Sequence, residues 1–213
     1  MICGVDEAGK GSVLGPMVVA AVGARSAEIV AGLGVRDSKQ LSPEERDRLF
    51  GIVKKKCKIA VVVIPAEEID AIRREMTMNA CVARAHAEVI SRLCPETAVV
   101  DACDVNPFRY AEMVRSHLSN HCEIVSEHHA DSTYPVVSAA SIVAKVTRDR
   151  EIAKLAKKYG RIGSGYPSDP VTIAFLSAYI DEHRTPPPIA RKSWKTVSAM
   201  LASKSQSSLS AFL

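Results

Sequence analysis

The apolar residues of this chain follow two rhythms. Short runs rich in Val, Ile and Ala at residues 2–6, 17–24, 58–64, 97–101 and 122–127 have the length and composition of strands. Elsewhere the period lengthens. Ala80, Ala83, Ala87 and Ile90, and later Ala139, Ile142, Val143 and Val146, recur at the spacing of a buried helical stripe. Helices are therefore predicted over 43–57, in two pieces within 66–93, and over 107–118 and 135–159. Ser42-Pro43-Glu44-Glu45 opens the first of them with a cap, a proline in the first position and acids in the first turn. The first two strands share only a Gly-rich turn, which implies antiparallel pairing, whereas the later ones are separated by helices and imply parallel pairing. The fold class is α/β, a mixed five-stranded sheet flanked by helices. After residue 160 the strand pattern stops, and helices at 170–182 and 193–202 flank Pro186-Pro187-Pro188, a stiff extended spacer. The predicted organisation is a core over 1–160, a C-terminal helical cap over 161–202 and a flexible tail over 203–213.

Composition adds little to this: 47% hydrophobic and 24% charged residues in a chain of 213 suit one ordinary domain and exclude disordered, collagenous and coiled-coil readings. Charge adds more. Of a net +4, residues 1–182 hold 23 basic and 24 acidic side chains, while 183–213 hold five basic ones and no acid. The six cysteines form no C-x-x-C pair, which fits free thiols in a reducing, cytoplasmic setting and argues against zinc. No apolar run approaches the roughly 20 residues a bilayer requires, so no membrane association is expected.

The chemistry gathers at strand ends. The first strand runs into Asp6-Glu7, the fourth into Asp101, and Asp131 follows the fifth. In α/β folds ligands bind beyond such ends. Asp6, Glu7, Asp101 and Asp131 brought together would repel one another unless divalent cations shared them, and oxygen ligation without Cys or His clusters points to Mg²⁺ or Mn²⁺. His128 and His129 lie beside Asp131; as strand neighbours, one is expected to pack and one to face solvent. The turn Gly9-Lys10-Gly11 fails as a dinucleotide fingerprint because Gly15-Pro16 leads into a strand, but it permits close backbone approach by a sugar or phosphate. Ser138, Ser141, Lys145 and Arg148 form a polar stripe opposite the apolar one on the long helix, and 145–161 carries seven basic residues against two acidic ones. Phosphates are the expected ligand. Tyr166, in Gly163-Ser164-Gly165-Tyr166-Pro167, is either a packing anchor or a stacking platform. Lys39, in Asp37-Ser38-Lys39-Gln40, sits in a second polar loop.

Taken in order, DEAGKG at 6–11, DSKQLS at 37–42, VVDACDV at 99–105, HHADSTYPVVSAASIVAKVTRD at 128–149, GSGYPSDP at 163–170 and RKSWKT at 191–196 make a pattern that resembles ribonuclease HII in its archaeal form. The resemblance spans nearly the whole chain. It implies a ribonuclease H-like fold and an endoribonuclease acting on RNA/DNA hybrids and on single ribonucleotides in duplex DNA, as a monomer, in ribonucleotide and primer removal. It implies that Asp6, Glu7, Asp101 and Asp131 are catalytic and bind two Mg²⁺ or Mn²⁺ ions, with 5′-phosphate and 3′-hydroxyl products. It further implies that Gly9, Lys10, Gly11 and Tyr166 read the 2′-hydroxyl, the group that distinguishes RNA from DNA. Lys39, Ser138, Ser141, Lys145 and Arg148 would hold the strand backbones, and Lys10 stands where many relatives carry arginine.

The last eight residues, Gln206 to Leu213, match a sliding-clamp interaction box, Q-x-x-L-x-x-F-[F/L]. Leu209, Phe212 and Leu213 fall at helical spacing, so one turn would present all three to a groove, with Gln206 beginning the motif. A sliding clamp is the expected partner. A rival reading, a non-catalytic clamp-bound nucleic-acid protein, would keep this tail and the basic helix without needing the acids.

Overall fold

A computed structural model of the chain describes residues 1–35 and 41–210, the last seven of these by backbone alone. The elements are β1 (Ile2–Ala8), β2 (Met17–Ala24), α1 (Ala27–Ala31), α2 (Pro43–Lys56), β3 (Lys58–Ile64), α3 (Ala66–Ile72), α4 (Met78–Leu93), β4 (Thr97–Asp101), α5 (Pro107–Arg115), β5 (Glu123–Glu127), α6 (Ala130–Thr133), α7 (Pro135–Tyr159), α8 (Pro170–His183) and α9 (Lys195–Ser210). They divide into two compact units, one of residues 1–10, 18–63 and 77–148, the other of 11–17, 64–76 and 149–213.

The first unit is built on one sheet in the order β3-β2-β1-β4-β5. β1 and β2 pair antiparallel with Ile2 opposite Ala24, while β1–β4 and β4–β5 are parallel. The mixed sheet follows from connection length, since a turn can reverse a strand and only a longer crossover can restore its direction. β2 is buried along its whole length and reads as uninterrupted Val/Ala/Met/Gly. Helix ends are set locally. In α2 the Ser42 hydroxyl accepts from the Glu45 N–H at 3.2 Å while the Glu45 carboxylate accepts from the Ser42 N–H at 3.0 Å, and Lys54, Lys55 and Lys56 sit at its C-terminal end. Along β1, Gly4 lets the backbone of α7 lie directly on the sheet. Val136, Val137, Ala139, Ala140, Val143 and Ala144 then pack with Val18, Ala20, Val22 and Val99 in one core.

The second unit has its own core of Val13, Leu14, Ile162, Leu176, Ile180, Ile189, Ala190 and Val197. Leu14 bridges Ala190, and the Asp70 carboxylate accepts from the backbone N–H groups of Lys192 at 2.7 Å and Ser193 at 3.0 Å. Arg191 is fully buried, with Nε and Nη2 donating to the Gly15 carbonyl at 3.3 and 3.2 Å and the guanidinium over the Trp194 ring.

Three sequence expectations change here. α7 does not carry a polar stripe opposite an apolar one, because all of residues 136–144, Ser138 and Ser141 included, are buried. His128 and His129 are both exposed: β5 ends at Glu127, and His129 turns into a left-handed φ of 57° ahead of α6, so strand alternation no longer applies. The last helix also runs eight residues beyond 202, through Ser210, since no Gly or Pro occurs from Lys195 onward to stop it. No helix among the described residues is long and apolar enough to cross a membrane.

Candidate active site

Asp6 and Glu7 are consecutive on β1, so the pleat sends their side chains to opposite faces of the sheet. Each meets a partner from the helix layer on its own face. The Asp6 carboxylate, 6% exposed, accepts from the Glu7 backbone N–H at 2.7 Å and from the Ser141 hydroxyl of α7. Glu7 turns toward α4, where its Oε2 lies 3.2 Å from Nε2 of His86. His86 is 0% exposed, and its Nδ1 is 3.1 Å from the Tyr110 hydroxyl of α5. Val5 pairs with Val100 in the parallel register, which brings Asp101 level with Asp6 at the neighbouring strand end. Asp101 Oδ1 accepts from the Ala130 N–H at 2.9 Å, fixing the entry of α6, whose first turn holds the buried Asp131. The Ser138 hydroxyl donates to the main-chain carbonyls of Asp131 and Tyr134 and so ties α6 to α7.

The electrostatics are those of crowded acids. Burial pushes the Asp6 carboxyl well above the usual carboxylate range, the charges of Glu7 and then Asp101 push it further, and the hydrogen bonds from Ser141 and the Glu7 N–H oppose them. Burial followed by the Glu7 charge also raises the Tyr110 phenol and lifts the Cys103 thiol to about 11. The Lys10 ammonium donates to the Cys103 carbonyl at 2.9 Å. The donors at these strand ends are hard oxygens that crowd one another, which suits Mg²⁺ or Mn²⁺ by type and by charge. Among the described residues, however, no three Asp, Glu, His or Cys side chains converge into a ligand set.

Against this geometry, the family model described as ribonuclease HII matches residues 3–197. The chain belongs to the ribonuclease HII family. It is 79% identical to the ribonuclease HII of Methanoregula boonei over 212 residues, all of both chains, and 44% identical to that of Pyrococcus furiosus over 99% of this chain and 97% of the relative. Among solved structures it is similar to the ribonuclease H2 of Pyrococcus horikoshii, with a TM-score of 0.88 at 40% identity, covering 95% of this chain and 97% of that one. It is also similar to the ribonuclease HII in the PCNA:RNase HII complex from Archaeoglobus fulgidus, with a TM-score of 0.87 at 42% identity, covering 94% and 96%. The mixed sheet with flanking helices is the ribonuclease H-like fold, and the chain is a hydrolase with ribonuclease H activity. The non-catalytic reading is thereby set aside.

Within this ribonuclease HII chain the remaining expected site residues fall in several places. Gly9 has a φ of 87°, a left-handed conformation that favours glycine, while Gly11 is exposed and open space lies where its side chain would be. Ser141 serves Asp6, and Ser138 is spent on main-chain carbonyls. Lys145 is half-buried, and Arg148 is 1% exposed, so Arg148 does not stand on a solvent-facing phosphate track in this structure. Arg191 is likewise inside the second unit, leaving Lys192 and Lys195 as the exposed cations of that segment. Tyr166 is half-buried in a turn held by Gly165, whose N–H donates to Thr172 Oγ1 at 2.9 Å and whose carbonyl accepts from Val13 and Leu14. Asp169 anchors the same turn through the Ser164 and Val171 N–H groups, which hold its carboxyl down at about 2. Lys39, Phe212 and Leu213 lie outside the described residues; Gln206 and Leu209 lie on the backbone of α9. His86 is the site residue the sequence reading passed over. Its signal was present, because residue 86 falls on the same stripe as Ala83, Ala87 and Ile90, an imidazole where only apolar side chains were expected.

Proposed function

We propose that this chain is an endoribonuclease that hydrolyses the phosphodiester bond at ribonucleotides in RNA/DNA hybrids and at single ribonucleotides embedded in duplex DNA, leaving 5′-phosphate and 3′-hydroxyl ends. The observation that carries the reading is the crowding of Asp6 with Glu7 and Asp101 at adjacent strand ends, in a chain of this family. Asp6, Glu7, Asp101 and Asp131 would hold Mg²⁺ or Mn²⁺. Two divalent ions held there would supply an activated water and offset negative charge at the scissile phosphate. The chain's own part is to orient the carboxylates and to offset part of the burial and mutual repulsion that oppose their charge. Ser141 and the Glu7 N–H favour the charged form of Asp6, and the Ala130 N–H orients Asp101.

Discrimination of RNA from DNA falls to the backbone of Gly9, Lys10 and Gly11 and to Tyr166, with Lys39, Ser138, Ser141, Lys145 and Arg148 as strand-backbone contacts. For Ser138, Ser141 and Arg148 that role would require them to leave their present buried settings. The tail from Gln206 to Leu213, carrying Leu209 and Phe212, docks on a sliding clamp; the Archaeoglobus relative in complex with PCNA supports this reading. Together these roles suit ribonucleotide and primer removal on replicated DNA. The test is cleavage of a duplex carrying one ribonucleotide, compared between the native chain and Asp6→Asn.

A further inference from the structure

Buried polar groups cost stability unless they are hydrogen-bonded, and a buried imidazole that bridges two side chains of different elements needs an explanation. His86 lies on α4 with 0% exposure, in a stretch where Cys81, Val82, Ala83, Ala85, Ala87, Val89 and Ile90 are also buried. An apolar residue there would serve packing as well. Instead both ring nitrogens are used, Nε2 toward Glu7 Oε2 at 3.2 Å and Nδ1 toward the Tyr110 hydroxyl at 3.1 Å, with the Tyr110 ring edge-on at 84° and 5.7 Å between centroids. Both partners sit on elements that pack against α4. The ring is thus locked about its own axis by two hydrogen bonds and a T-shaped contact.

We propose that His86 is a positioning residue for Glu7, with Tyr110 orienting the ring, so that the carboxylate reaches the cation with one oxygen already held and its rotation fixed. The inference rests on the reading of Glu7 as a metal-binding carboxylate. Its physical basis is that a freely rotating glutamate must lose side-chain entropy when it binds an ion, and a ligand oriented by an outer hydrogen bond has already lost it. Asp6 and Asp101 receive their orientation from backbone N–H groups; His86 supplies for Glu7 what the main chain supplies for them.

The experiment measures Mn²⁺ affinity by calorimetry on the substrate-free protein, beside kcat and KM on a ribonucleotide-containing duplex and far-ultraviolet circular dichroism. His86→Leu keeps the volume and removes both hydrogen bonds. Its Mn²⁺ Kd is expected to rise about 10- to 100-fold, with kcat falling and KM for the duplex unchanged. His86→Gln, which restores a donor toward Glu7, should recover most of that loss, and Tyr110→Phe should lose less than His86→Leu. If His86→Leu folds with native Mn²⁺ affinity, or if Leu and Gln are equally impaired, the inference is overturned. If His86→Leu does not fold, His86→Gln and Tyr110→Phe still decide it, because unchanged Mn²⁺ affinity in Tyr110→Phe beside a Gln variant that has lost it contradicts a relay. Glu7→Gln separates this inference from the reading beneath it. Native metal affinity in Glu7→Gln defeats the reading of Glu7, whereas a loss there with no loss in His86→Leu defeats only the role of His86. In the Glu7→Gln background, His86→Leu should add nothing.

Discussion

A Cβ on Gly4 would collide with the carbonyl carbon of Val136 and the nitrogen of Val137, backbone against backbone. That contact fixes the height of α7 above β1. Two residues further along β1 comes Asp6, and one helical turn further along α7 comes Ser141, which reaches it. The depth of a glycine therefore sets the hydrogen bond of a carboxylate.

Gly4→Ala is expected to destabilise the protein by about 3 kcal/mol, since neither backbone can yield without shifting a whole element. Urea unfolding measures it, and a change under about 1 kcal/mol would mean that α7 is free to move away.

Asp6 carries a sign that can be tested. Its carboxyl is raised in the folded, metal-free protein, so the folded state holds the proton more tightly than the unfolded chain does. The resulting stability is fully present below the unfolded carboxylate pKa and is lost as pH rises through the raised folded value. At neutral pH, with chelator present, Asp6→Asn should accordingly raise the thermal midpoint while removing cleavage. A lower midpoint would show that the carboxylate is welcome where it lies.

Tyr166 sits in a turn held by the Gly165 N–H, which donates to Thr172 Oγ1, and by the Gly165 carbonyl, which accepts from Val13 and Leu14. Tyr166→Phe should leave duplex affinity nearly native and reduce cleavage at an embedded ribonucleotide about tenfold, the scale of one lost hydrogen bond in the transition state. Equal losses in binding and cleavage would mark the ring as a packing anchor.

Deleting residues 206–213 should spare cleavage of short duplexes and weaken clamp binding by at least about a hundredfold, because the proposed docking peptide would offer Leu209, Phe212 and Leu213 as its apolar anchors. Unchanged affinity in surface plasmon resonance would move the clamp contact elsewhere.

Much of the architecture was legible because it is local. The Val-rich runs ending in Asp101 and Glu127, the capped start at Ser42 and the Asp6-Glu7 pair at the end of the first strand announce themselves within a few residues. What was not legible depends on packing from distant parts of the chain. Periodicity marks the apolar side of α7 but cannot show that Ser138 and Ser141 are covered too, which follows from Gly4. Arg148 reads as a surface cation because burial of a guanidinium depends on acceptors from distant parts of the chain, as Arg191 shows with the Gly15 carbonyl, 176 residues away. α1 and α6 are five and four residues long, too short to show a period. His86 lay in plain sight on its stripe, but its partner Glu7 is 79 residues earlier.

The most direct test of the central claim is product mapping on a duplex with a single embedded ribonucleotide, with Mg²⁺ and Mn²⁺ compared, for the native chain, Asp6→Asn and Asp101→Asn. The account predicts one cut at the ribonucleotide with 3′-hydroxyl and 5′-phosphate ends in the native chain, and loss of that cut by at least about a thousandfold in both variants. Cleavage that survives either substitution would contradict it.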